Sequence, residues 1–171
     1  KFDYFKKIID LLIKVQLIKD RKVYTFKNKK YSIPKYDKRI LVQEANLFCD
    51  WYVKSKLSKI ESKKFSKEFR KVTKKLASKL MLNQGVFVHR DFHVSNLMLV
   101  KKSIGIIDSQ DALIGNRAYD LASLIDDVRL KSSKSFKKKI FNFYIKRQKK
   151  INIDKLKNDF EILSILRNLK I

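Results

Sequence analysis

The spacing of apolar residues changes character twice along this chain, and those two changes decide the fold class. Up to about residue 82 the apolar positions recur at helical intervals; from Gly85 they collapse into short β-branched runs; after Gly115 the helical interval returns. Phe5, Ile8, Ile9, Leu12 and Ile13 predict an amphipathic helix over residues 2–18. The polar stretch RKVYTFKNKKYSIPKY, with the single proline Pro34, reads as a connection. Asp37 is the expected N-cap of a second helix reaching about Lys56, with Ile40, Leu41, Ala45, Phe48, Trp51 and Tyr52 on one face and Glu44 inside that stripe. A third helix is expected from Glu61 to Leu82. VFVHRDF, NLMLV and IGIID read as strands, followed by helices over 116–130, 135–149 and 154 onward. The expectation is an α+β, mostly α domain with one small β hairpin.

Composition narrows the function classes. With 44% apolar residues over 171 positions the chain can bury a core, so bulk disorder is excluded despite a formal charge of +25. No run approaches the roughly 18 uninterrupted apolar residues that a membrane-spanning helix needs. Cys49 is the single cysteine and cannot form an internal disulfide, and no export signal opens the chain, so the cytoplasm is the expected setting. The excess charge raises the alternative of a nucleic-acid-binding module. Against it, 34 of the 42 basic residues are Lys and only 8 are Arg, the residue that reads phosphates and bases as a fork, and the lysines are scattered over nearly every segment. They read as a solvated surface.

Chemistry concentrates in VHRDFHVSNLMLVKKSIGIIDSQD, residues 88–111. His-Arg-Asp followed after four residues by Asn is the spacing of a kinase catalytic loop. A hairpin turning at Lys101, Lys102 and Ser103 would pair Val100 with Ile104, and hence Asn96 with Asp108. Opposed residues project to the same face, so an amide oxygen and a carboxylate would converge on one point. Such hard oxygen donors suit Mg²⁺, whose remaining ligands come from water and nucleotide phosphates. Asp91, earlier on the same loop, could take the proton of an attacking hydroxyl. His89 and His93 are spaced like a zinc pair but lie on a strand-to-loop segment with no Cys or Glu beside them, and His89 is expected to pack inside and brace the loop.

These residues carry a family resemblance. HRDFHVSNLM, followed by IGIIDSQDALIGNRAYDLASL, resembles the aminoglycoside phosphotransferase and choline kinase superfamily, whose catalytic loop reads His-x-Asp-x-His-x-x-Asn. Within it, PKYDKRILVQEANLFCDWYV, IDSQDA, YDLASL and the terminal RNLKI are most similar to the anomeric sugar kinases that phosphorylate N-acetylmuramate and N-acetylglucosamine at C1 in cell-wall recycling. The resemblance covers about residues 34–130 and the last few positions. It implies the C-terminal lobe of a protein-kinase-like fold, ATP and Mg²⁺ as cofactors, Asp91 as catalytic base, and Asn96 and Asp108 as magnesium ligands. His89, Arg90, His93 and Asp120 would support the loop, Asp120 as a buried carboxylate holding it by hydrogen bonds. Asp120 also reads as an acid in the first turns of a helix, where it complements the helix dipole.

On the acceptor side the candidates are Glu44, Trp51, Gln110 and Asp111. Glu44 either pairs with a cation such as Arg90 or faces a polar cavity and accepts hydrogen bonds from sugar hydroxyls; Trp51 either offers a ring face or belongs to the core. The implied partners are a nucleotide and a small acceptor, an amino sugar first, with an aminoglycoside, choline or another amino alcohol as the alternative; neither a membrane nor a nucleic acid is expected. Val94 stands where the family usually has Pro, and Ser109 where an aromatic usually follows the metal aspartate. A start at Lys1 and three isolated glycines, none in a phosphate-covering loop, lead us to expect a fragment, residues 1–171, without the N-terminal nucleotide-covering lobe.

Overall fold

The computed structural model describes residues 1–170 apart from Thr25, Asn83 and Lys149. Helix α1 (Phe2–Gln16) buries Phe5, Ile8, Ile9, Leu12 and Val15 and packs against β3 and α6. After it, Lys22–Tyr24 (β1) and Lys30–Ser32 (β2) pair as an antiparallel hairpin within the segment expected to be a plain connection. All six strand residues are exposed, so no alternation of apolar and polar positions marked them.

Asp37 caps α2 (Lys38–Ala45) by accepting the Ile40 amide at 2.9 Å. The expected single helix to Lys56 is broken by a π-helical turn, Phe48–Val53, before a last short turn α3 (Lys54–Lys56). The wider turn rotates the buried face onto Ala45, Cys49 and Val53 and turns Trp51 and Tyr52 outward. Helix α4 (Lys59–Ser78) starts from a reciprocal capping box, in which Ser58 N donates to Glu61 Oε2 (3.1 Å) and Glu61 N to Ser58 Oγ (3.4 Å).

The segment expected to form a catalytic loop is framed by two strand pairs. Strand β3 (Gln84–Val88) is antiparallel to β6 (Leu113–Asn116), a strand of four buried residues that is not among the expected strands and whose last residue is the expected start of a helix. Residues 34–36 lie along its other edge, with Ile114 N donating to Pro34 O and Tyr36 N to Ile114 O, each at 2.8 Å. Gly115 sits where this edge is tightest: a Cβ there would lie 3.0 Å from Tyr36 Cβ and 3.2 Å from Val88 Cγ2. The second pair is β4 (Leu97–Val100) with β5 (Ser103–Ile106).

The register of that hairpin is one residue away from the expected one. Val100 pairs with Ser103 and Leu97 with Ile106, around a two-residue turn at Lys101 and Lys102 in which Lys101 takes a left-handed conformation (φ 54°). Beyond the strands Ile107 N donates to Asn96 O at 3.1 Å, so Ile107 and not Asp108 faces Asn96.

Three helices complete the chain: α5 (Ala118–Ile125), α6 (Lys134–Lys146) and α7 (Ile153–Asn168). Helix α5, expected to run to Leu130, stops at Ile125, and Val128 lies exposed beyond it. The expected helix ends at Lys149 and Ile171 fall outside the described residues. Every residue of α5 is buried, against α6 on one side and α7 on the other, with Leu121, Leu124, Tyr144, Leu156 and Leu163 at the centre of the core. The architecture is α+β, mostly α.

Candidate active site

The loop leaving β3 is held from below by one carboxylate. Asp120, on the first turn of α5 and fully buried, accepts His89 N at 2.7 Å (Oδ2) and Arg90 N at 3.0 Å (Oδ1). Two backbone donors on one carboxylate fix the chain at the residues just before Asp91, and Arg90 takes a left-handed conformation (φ 79°) in passing over it. Burial pushes the Asp120 carboxyl up to about 7, against the two amides and Arg167, which favour its charged form.

Arg90 is pinned a second time through its side chain. Its Nε donates to Glu44 Oε1 at 3.0 Å, its Nη2 donates to the same oxygen, and its Nη1 lies 3.9 Å from Asp111 Oδ2. Tyr36 OH donates to the other oxygen of Glu44, and the Tyr36 ring stacks edge-on against Tyr119 at 4.8 Å. Of the two readings of Glu44, the structure has the ion pair. Trp51 is 78% exposed on the π-helical turn and takes no part in these contacts.

Past Asp91 the loop folds onto itself. His93 N donates to Asp91 O (3.0 Å), Asn96 N to His93 O (2.9 Å) and Asn96 Nδ2 to Asp91 O (3.0 Å). The Asn96 amide nitrogen is thereby engaged by the loop, and its Oδ1 keeps its capacity as an acceptor. Asn96 Nδ2 also lies 3.5 Å from Asp108 Oδ2, so these two side chains do meet despite the shifted register. The reason is local: Asp108 has φ 67°, and this left-handed residue returns to the Asn96 side a side chain that regular strand geometry would send to the opposite face. Gln110 donates to Asp108 Oδ1.

The two histidines are structural in their surroundings. His89 is buried with Nε2 3.1 Å from Ile107 O, bridging the loop to the end of β5, and burial lowers its pKa. His93 is also buried, and burial together with the nearby Arg129 cation lowers its pKa. Among the described residues no group of three or more His, Cys, Asp or Glu could hold a metal ion. The Asn96 atom beside the exposed Asp108 carboxylate is its Nδ2, while an amide oxygen and a carboxylate are donors of the kind Mg²⁺ accepts.

Sequence reasoning missed the cations at the far end of α7. Lys170 Nζ lies 3.6 Å from Asp91 Oδ1, and Arg167 is buried one turn earlier. Both fall in the RNLKI segment, so the signal was present although no role was attached to it.

A family model described as "Phosphotransferase enzyme family" matches residues 32–155. The chain belongs to this family. It is similar to the N-acetylmuramate/N-acetylglucosamine kinase of Neisseria meningitidis, at 31% identity over 145 residues, covering 81% of this chain and 43% of the relative. The like-named kinase of Pseudomonas aeruginosa is 35% identical over 96 residues, covering 56% of this chain and 28% of the relative. That of Caulobacter vibrioides is 25% identical over 126 residues, covering 71% and 34%. The chain thus spans less than half the length of these curated relatives. Family membership carries the kinase-like fold with it, and no helix among the described residues is long and apolar enough to cross a membrane.

Proposed function

We propose that the protein to which this chain belongs is an ATP- and Mg²⁺-dependent kinase that phosphorylates the anomeric hydroxyl of N-acetylmuramate and N-acetylglucosamine, a cytoplasmic step of cell-wall recycling. In this reading residues 1–171 supply the C-terminal lobe, and the nucleotide-covering lobe comes from sequence outside them. The observation that carries it is the locked loop: Asp120 and Glu44 immobilise His89 and Arg90 from two sides, and Asp91 follows directly.

In this reading the Asp91 carboxylate orients the sugar hydroxyl and takes its proton as the oxygen bonds to the γ-phosphorus and the bond to ADP breaks. Asn96 Oδ1 and the Asp108 carboxylate would hold Mg²⁺, which supplies charge neutralisation on the nucleotide phosphates. The names of the relatives support the amino-sugar acceptor, and their shared family supports the reaction type.

Asp91→Asn in the complete enzyme tests the assignment. The isostere keeps the loop geometry and removes the proton acceptor, so transfer to either sugar should fall by at least about a hundredfold at unchanged melting temperature. Turnover within about tenfold of wild type would take the base role away from Asp91.

A further inference from the structure

The last turn of α7 and the turn that follows it bring two cations, Arg167 and Lys170, that no part of the mechanism above uses. Lys170 N closes that turn onto Arg167 O at 3.0 Å, and the Lys170 side chain then runs to Asp91, with Nζ 3.6 Å from Oδ1. Its side chain is only 22% exposed, and that of Asp91 32%. At 3.6 Å the pair is electrostatic, without a formed hydrogen bond, so the ammonium donors stay available. Arg90, which precedes Asp91 in the chain, is committed to Glu44 and Asp111, leaving Lys170 as the cation paired with Asp91 among the described residues. Behind it Arg167 is 4% exposed; among the described residues its Nε has no hydrogen-bond partner, and its side chain donates to its neighbour Asn168 at 3.4 Å. Its charge reaches Asp120 and Asp127 and favours their ionised forms.

A half-buried ammonium with free donors beside a proton acceptor is placed for an oxyanion. We propose that Lys170 is a further site residue that holds an oxyanion at the reacting centre, namely the phosphoryl group in transfer, with Arg167 reinforcing the positive field from behind. The inference rests on the kinase reading above. The argument is one of reach. If Asp91 touches the acceptor hydroxyl, that hydroxyl stands in line with the phosphorus, and a cation 3.6 Å from Asp91 Oδ1 comes within reach of the phosphoryl oxygens. Lys170 keeps its proton throughout; the bonds that form and break are those of the transfer itself. The same chemistry has a second source, because N-acetylmuramate carries a carboxylate and N-acetylglucosamine does not.

Lys170→Met, Lys170→Gln and Lys170→Arg in the complete enzyme, assayed with both sugars, separate the possibilities. The expected result for Met and Gln is a fall in kcat of about tenfold to a hundredfold with either sugar and little change in acceptor KM, with Arg recovering most of it. Binding of MgADP with aluminium fluoride, an anion that imitates the transferring group, should weaken at least about tenfold in Met and Gln and not in Arg. A rise in KM confined to N-acetylmuramate would place the oxyanion on the acceptor and overturn the phosphoryl assignment. Variants unchanged with both sugars, or a loss that Arg does not recover at wild-type melting temperature, would overturn the proposal altogether. If wild type itself transfers phosphate to neither sugar, the kinase reading fails first, and that outcome is visible before any variant is made.

Discussion

Asp120 has the greatest influence of any single residue on the site, and its chemistry ties stability to pH. Its folded pKa, about 7, lies above the ordinary 3.8, because burial penalises the charge more than its donors compensate. A raised carboxyl pKa means that the folded state holds a proton the unfolded state has released. The associated stability is fully present below about pH 4 and is lost as pH rises through about 7. His89 and His93 run the other way, since burial lowers both and the unfolded chain charges them first in acid. Comparing wild type with Asp120→Asn isolates the carboxyl: the stability advantage of wild type should shrink by a few kcal/mol between about pH 4 and 7, read by denaturant melts at each pH. A difference flat across that range would mean Asp120 stays ionised in the fold. At this same scale the sequence was legible for chemistry and less so for geometry. Asp91, Asn96 and Asp108 are readable from spacing, but Asn96 meets Asp108 through a left-handed backbone at Asp108. Nothing in GIIDSQ signals that conformation, as a glycine would.

At the scale of elements, α2 acts as a brace for the loop. Its Glu44, caught between Tyr36 and Arg90 with its side chain 11% exposed, links the helix to the residue preceding Asp91. Glu44→Gln keeps the shape and removes the charge, leaving a partly buried guanidinium whose remaining carboxylate partner among the described residues is Asp111 at 3.9 Å. We expect a loss on the order of 2–3 kcal/mol. That corresponds to a fall of roughly 5–10 °C in melting temperature. The acceptor KM should stay near wild type, and a raised KM at unchanged melting temperature would instead put Glu44 against the sugar. The sequence showed that Glu44 needed a partner, because a carboxylate in an apolar stripe is costly alone. It hid where α2 ends, since a π-helical turn preserves helical composition while rotating the face, and Trp51 was misplaced for that reason. Strands β1 and β6 were hidden differently: one is wholly exposed and the other wholly buried, so neither shows alternation.

The whole molecule separates folding from function. The core that joins α1, α5, α6 and α7 is built from fully buried side chains of this chain, among them Ile9, Leu12, Leu121, Tyr144 and Leu163, so residues 1–171 contain what a cooperative fold requires. The nucleotide side is different. Asp108 is exposed and Asn96 half-buried, and in the proposed role their two oxygen donors would engage a phosphate-bound cation without enclosing the base or ribose. The isolated chain should therefore melt in a single transition yet bind MgATP at least about a hundredfold more weakly than the complete protein. Calorimetric titration of both at matched ionic strength checks this, and the match matters because a formal charge of +25 attracts any polyanion at low salt. Apparent binding by the isolated chain that vanishes between 50 and 500 mM NaCl, and that is indifferent to Mg²⁺, would be this unspecific attraction. Mg²⁺-dependent binding by the isolated chain as tight as that of the complete protein would mean that this lobe already holds the nucleotide unaided, and the two-lobe proposal would have to be abandoned.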